Sequence, residues 1–273
     1  MQNNENSPQI FRDKCASKPP MQLIDSHAHL DDKQYNNDRA AAIAEIRDSG
    51  VTNIINIGAD MRSSRASAKL SNEHDFIYAS VGVHPHYVNK ITDENIAELR
   101  MLAANEKVVA IGEIGLDYYR NISPKDVQQL WFRKQLQLAK ELNLPVIIHD
   151  RDAHEDCLNI LKDENISNGV MHCYSGSAEM ARTVVDMGFY ISFGGVITFK
   201  NARVAVEALR AIPMDRLLIE TDCPYLSPEP HRGMRNTGAY MPLIAQKVAE
   251  IKGISYEEAC EITASNTRDL FGF

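Results

Sequence analysis

The chain has few cysteines, no long apolar run and no excess of basic charge, and each shortage excludes something. Its five cysteines (Cys15, Cys157, Cys173, Cys223 and Cys260) are an odd number, widely spaced and without a C-x-x-C pair. This argues against a disulfide framework and against a cysteine zinc site, and free thiols in a reducing compartment are expected. No apolar stretch approaches the roughly 20 residues of a membrane helix, and the first twenty residues, MQNNENSPQIFRDKCASKPP, lack the apolar centre of a secretory signal. The expectation is a cytoplasmic protein with no membrane contact. The formal net charge is −8, whereas proteins that grip long stretches of duplex carry a basic face. Any contact with nucleic acid must therefore be local. The glycine-bearing SFGG and HRGMRNTG match neither the P-loop nor the dinucleotide fingerprint, so no nucleotide cofactor is expected. No feature calls for an obligate protein partner.

What is present is a rhythm. With 44% hydrophobic and 24% charged residues over 273 positions, the chain can bury a full core in one large domain or in two. Residues 1–20 are polar and end in Lys-Pro-Pro; they are read as a disordered extension or an expression remnant. From Met21 to Phe273 eight short apolar runs (QLIDS, VTNIINIG, FIYASVG, VVAIGEIG, LPVIIH, GVMHC, FYISFGG, RLLIETD) alternate with longer helix-like stretches. In the fourth stretch, Leu130, Leu136, Ala139 and Leu142 follow in part a three- and four-residue spacing. Strand then helix, eight times over about 250 residues, predicts a single-domain (β/α)₈ TIM barrel. The last segment, ISYEEACEITASNTRDLFGF, reads as one or two closing helices, with Asn266 as a cap. A doubly wound open sheet is the alternative, because alternation alone does not show closure.

Barrel enzymes place their chemistry at the carboxyl ends of the strands. Here run one ends in His27 and His29, run three in His84 and His86, run four in Glu113, run five in His149, run six in His172 and run eight in Asp222. From His27 to Glu113 is 86 residues, then 36 to His149, 23 to His172 and 50 to Asp222. With about 31 residues per βα unit, these intervals are three units, one, one and two. An H-x-H alone is weak evidence of a metal site; six candidates in phase with the barrel are stronger. Residues i and i+2 of a strand point the same way, so His27 and His29 can both face the barrel mouth and bind one ion.

The motifs DSHAHL, GVHPH, GEIGLDYY, VIIHDR, HCYSG, ISFGG, LLIETDCPYL, HRGMRN and the closing NTRDLFGF, in this order, resemble the TatD family of metal-dependent deoxyribonucleases over Met21–Phe273. The resemblance implies a barrel with two divalent ions in its mouth and hydrolysis of phosphodiester bonds in DNA, often from the 3′ end of a strand. It implies that His27, His29 and Asp222 hold one ion, that His149 and His172 hold the other, and that Glu113 bridges them. The residue types agree: imidazoles and carboxylates suit Zn²⁺, Mn²⁺ or, with more oxygen ligands, Mg²⁺. Two ions about 3.5–4 Å apart clamp a phosphate and lower the pKa of a bound water from about 15.7 toward roughly 7. Asp222 is then a candidate for the proton acceptor as well as a ligand.

Other residues take lesser roles. His84 is a candidate for contacting the scissile phosphate or protonating the leaving group, and His86 is expected to be structural. Asp25 shares the parity of His27 and is a candidate for orienting it. Asp117 is expected to close a loop. Arg232 is the chosen phosphate contact, with Tyr119 and Lys200 as further substrate contacts, among loops that also carry Arg120, Arg151, Arg235, Tyr118 and Phe199. The expected partner is single-stranded DNA or a 3′ end. One rival is an amidohydrolase, lactonase or phosphoesterase acting on a small molecule. Some such barrels use a carbamylated lysine after the fourth strand, but Lys107, the nearby lysine here, starts that strand. A non-catalytic nucleic-acid-binding module is the other rival, disfavoured by the charge and by the ligand candidates.

Overall fold

A computed structural model describes residues 22–273, so the reading of residues 1–20 lies outside the described residues. The eight apolar runs form eight strands: β1 (Leu23–Ala28), β2 (Val51–Ile57), β3 (Ile77–Val81), β4 (Val108–Asp117), β5 (Val146–Arg151), β6 (Gly169–Met171), β7 (Tyr190–Phe193) and β8 (Leu217–Ile219). They pair in sequence order, every neighbour parallel. The open-sheet alternative fails where the eighth strand meets the first. There the His29 amide donates to the Cys223 carbonyl at 2.7 Å, and the Asp222 amide donates to the His27 carbonyl at 2.9 Å. These bonds close a (β/α)₈ barrel.

Helices follow each strand: α1 (Arg39–Asp48), α2 (Met61–Glu73), α3 (Asp93–Leu102), α4 (Lys125–Leu142), α5 (His154–Asp163), α6 (Ala178–Asp186), α7 (Arg203–Ala211) and α8 (Met241–Lys252). A ninth, α9 (Tyr256–Phe271), is one continuous helix begun by a Ser255 cap. In α4 Leu136 and Ala139 are buried as expected, but Leu130 is exposed and Trp131, Phe132 and Gln135 face inward instead. The buried face is therefore shifted by one to two residues, and Gln135 belongs to it because its side chain bonds both the amide and the carbonyl of Val83.

Period-two alternation sorts the strands into two apolar layers. Ile54, Ile111, Ile148 and Leu217 pack outward under the helices, while Ile55, Ile57, Ile147, Val170 and Leu218 form an inner cluster with Leu270 and Phe271 of α9. Phe273 stacks on Tyr78 at 3.9 Å. Asn266 is not a cap. It sits inside α9 and donates to the carbonyls of Met214 and Leu217 at 2.7 and 2.8 Å, tying the helix to the start of β8. No helix among the described residues is long and apolar enough to cross a membrane.

Candidate metal centre

The inward parity that places Ile147 and Leu218 in the barrel places His149, Glu220 and Asp222 above them, at the mouth. Glu113 is not the last residue of its strand, since β4 runs on to Asp117. Gly115 makes that extension possible: its φ is +137°, and a Cβ there would stand 2.0 Å from the carbonyl oxygen of its β5 partner, His149. Asp222 adopts a left-handed φ of 55°, turning the chain back toward β1.

The six expected residues meet around the Glu113 carboxylate, whose oxygens face different groups. Oε1 lies 2.8 Å from both His149 Nδ1 and His172 Nε2. Oε2 lies 3.8 and 3.9 Å from His27 Nε2 and His29 Nε2. Asp222 Oδ1 is 3.8 Å from His27 Nε2 and 3.5 Å from His29 Nε2, and those two nitrogens are 3.2 Å apart. The donor atoms of His27, His29 and Asp222 form one group able to hold an ion; those of His27, Glu113 and His172, and of His84, Glu113 and His149, form two more.

Outer contacts set which ring nitrogen faces inward. The buried Asp117 carboxylate lies 3.2 Å from His149 Nε2, leaving Nδ1 toward the centre. Glu220, fully buried, lies 3.4 Å from His172 Nδ1 and accepts from the Cys173 amide at 2.7 Å, leaving His172 Nε2 toward the centre. His84 differs. Its Nδ1 accepts from the His86 amide at 3.1 Å, so the ring proton of the neutral form sits on Nε2, 3.5 Å from Glu113 Oε1. His84 therefore presents a hydrogen-bond donor to the centre.

Charge balance calls for cations here. Among the described residues no lysine or arginine pairs with Glu113, Glu220 or Asp222; histidines alone do. Burial raises the Glu113 carboxyl, but the His84, His172 and His149 rings outweigh it and hold the group well below its usual range. Burial drives His27 well down, reinforced by the His172 ring stacked on it at 3.8 Å. It also drives His84 well down. His29 is pulled down by burial, but the Asp222 carboxylate, aided by Glu113 and Asp31, pushes it up to about 9. Burial also opposes charge on His149 and His172, but Asp117 and Glu113 push the first up and Glu113 and Glu220 the second. A set of imidazoles and carboxylates gathered without a lysine or arginine, its buried charge balanced by protonated histidines alone, fits divalent metal ions that would take the place of those protons.

The other expected residues scatter. Asp117 does close its loop, accepting from the Arg120 amide at 2.7 Å, and it also bonds His86 Nε2 at 2.8 Å. Asp25 accepts from the backbone amides of His27 and Thr221 at 3.3 and 2.9 Å. No bond to the His27 ring is formed, so Asp25 fixes the strand rather than the imidazole. Arg232 lies over Phe199 at 4.3 Å, Arg151 lies over the exposed Tyr119 at 4.1 Å, and Lys200 is exposed; Arg232, Tyr119 and Lys200 sit outside the wall of the cavity. Arg235 is taken up by Asp38 and Tyr35. The wall of this cavity of about 820 Å³ carries Arg62, Arg120 and Arg151 instead. Arg62 and Glu220 escaped the sequence reading. Arg62 stands in the first turn of α2, after a strand without a ligand candidate, whereas Glu220 shares the parity of Asp222 and was findable by the rule applied to His27 and His29. Lys107 donates to the carbonyls of Ser71, His74 and Asp75, at the start of its strand and away from the mouth.

Comparison with known proteins shows the family. The family described as TatD related DNase matches residues 24–272. An uncharacterized metal-dependent hydrolase of Bacillus subtilis (strain 168), YabD, is 48% identical over 251 residues, covering 91% of this chain and 98% of that protein. A Pantoea ananatis protein (strain LMG 20103) named 3′-5′ ssDNA/RNA exonuclease TatD is 36% identical, covering 92% and 99%. Among solved structures, the TatD homologue YjjV from Escherichia coli K12 superposes with a TM-score of 0.87 at 30% identity, covering 92% of this chain and 98% of that one. The chain belongs to the TatD family, as a metal-dependent hydrolase built on a TIM barrel.

Proposed function

We propose that the protein is a cytoplasmic deoxyribonuclease that removes nucleotides from single-stranded 3′ ends, using two divalent ions (Mg²⁺, Mn²⁺ or Zn²⁺). The observation that carries the two-ion reading is the split of Glu113: one carboxylate oxygen faces His149 and His172, the other faces His27 and His29. A bridging ligand needs that arrangement. His27, His29 and Asp222 would hold one ion and His149 and His172 the other. Bound ions supply Lewis acidity that makes a water nucleophilic near neutral pH and neutralises charge growing on the phosphate.

The chain's own residues do the remainder. Asp222, partly open to the cavity, accepts the proton of the attacking water. His84, kept neutral by burial, donates its Nε2–H to a phosphate oxygen rather than giving up a proton. Arg62, Arg120 and Arg151 place guanidinium groups on the cavity wall for the flanking phosphates. The name of the Pantoea ananatis relative supports the direction of cutting and the single-stranded substrate.

The test is digestion of a labelled single-stranded DNA with Mg²⁺, Mn²⁺ or Zn²⁺, with EDTA and Glu113→Ala as controls. Stepwise shortening from the 3′ end, abolished by both controls, is expected. Equal digestion by wild type and Glu113→Ala would remove the reading, as would hydrolysis confined to a small phosphoester or lactone.

A further inference from the structure

Large apolar side chains left in solvent gather at one end of this barrel. Of nine such residues among those described, seven lie on segments that follow β3, β4, β7 and β8, on the face that holds the cluster; Met101 and Leu130 are the two elsewhere. An exposed apolar collection of this kind marks an interaction site. Two of its members stand near the centre, one beside the candidate ligand His29 and one beside His84. The Tyr225 ring is 6.0 Å from the His29 ring, and the Tyr87 ring is 6.4 Å from His84 and 6.3 Å from His86. Tyr225 is 46% exposed and Tyr87 45%, and both line the cavity. The Tyr225 hydroxyl donates to Asp32 Oδ2 at 2.9 Å, which holds its ring in place before anything binds.

The surroundings select the occupant. Guanidinium groups and aromatic rings share one cavity wall, and that mixture complements a polyanion that carries flat apolar groups. A membrane surface is a poor match, because Tyr87 and Tyr225 line the wall of a concave cavity, which the end of a single strand can enter and a layer of headgroups cannot. A duplex keeps its bases stacked on one another and shows no ring faces to Tyr87 or Tyr225. We propose that Tyr225 and Tyr87 are stacking subsites for the two unpaired nucleobases that flank the scissile phosphate, and so make the site selective for unpaired ends. The position of that phosphate rests on the phosphodiesterase reading above; the stacking does not.

A single strand ending in 2-aminopurine, whose fluorescence falls on stacking, is mixed with the protein and Mg²⁺ in a stopped-flow instrument and compared with a strand abasic at its last two positions. Quenching on binding is expected, with affinity for the ordinary strand about 30-fold or more above that for the strand abasic at two positions. Tyr225→Ala and Tyr87→Ala should each bring that ratio toward one, while Tyr225→Phe and Tyr87→Phe should keep most of it. An unquenched probe, or alanine variants with the wild-type ratio, would overturn the subsites. The fluorescence decides them whether or not the strand is cut: quenching without hydrolysis leaves the subsites and removes the nuclease reading, and hydrolysis without quenching does the reverse.

Discussion

At the scale of single residues, two of the imidazoles at the centre, His149 and His172, have carboxylates behind them. Glu220 is fully buried, within 3.4 Å of His172 Nδ1. Removing its charge weakens the hold on that tautomer and lowers the basicity of Nε2. Glu220→Gln should therefore lower Mn²⁺ affinity by about 10- to 100-fold, read by calorimetric titration, while circular dichroism shows an unchanged fold. Unchanged affinity would leave Glu220 a packing residue. His29 gives a pH signature. With its proton affinity raised to about 9 in the metal-free protein, its contribution to stability is complete below about 6.5 and is lost as pH rises through the raised value. An incoming ion must displace that proton. Ion binding at pH 8 should release a proton, seen as a heat that depends on the buffer's ionisation enthalpy, and affinity should climb until about pH 9. A heat independent of buffer at pH 8 would contradict this.

At the scale of elements, the approach of β4 to β5 is the feature that places Glu113 beside His149. Gly115→Ala puts a methyl group 2.0 Å from a backbone oxygen and forces an alanine to φ +137°. The expected loss is about 3 kcal/mol or more, measured as a lower denaturant midpoint. A midpoint within error of wild type would mean the strands separate cheaply. The strand count, the order of elements and the phase of the six inward residues were legible in the sequence because period-two burial and the βα repeat are local properties. Details that depend on a neighbour were not. Asn266 reads as a cap by residue type, yet it bonds carbonyls about fifty positions away in the chain. Leu130 fits the helical spacing but faces solvent, because the buried face of α4 is set by contact with β4 and with Val83, just after β3. Arg232 reads as a free phosphate contact, whereas it lies over the Phe199 ring brought to it by another loop and stands outside the cavity wall.

At the scale of the whole molecule, an acidic chain places three arginines on the wall of the cavity that holds its buried carboxylates. The net charge of −8 disfavours long nucleic acid, while three arginines and exposed rings at the mouth suit a short unpaired end. Fold alone does not choose a substrate, since TIM barrels serve many chemistries. Two features speak against a site built on a carbamylated lysine: Lys107 lies away from the mouth, and the Glu113 carboxylate takes the central place. The proposed hydrolysis turns on that carboxylate serving two ions at once. The most direct test titrates Mn²⁺ into metal-free protein while phosphodiester hydrolysis is followed on a labelled single strand. Two equivalents should bind, with activity rising on the second, and Glu113→Gln should lose the second equivalent together with the activity. Full activity at one equivalent, or a Glu113→Gln protein that binds two ions and cuts at the wild-type rate, would contradict it.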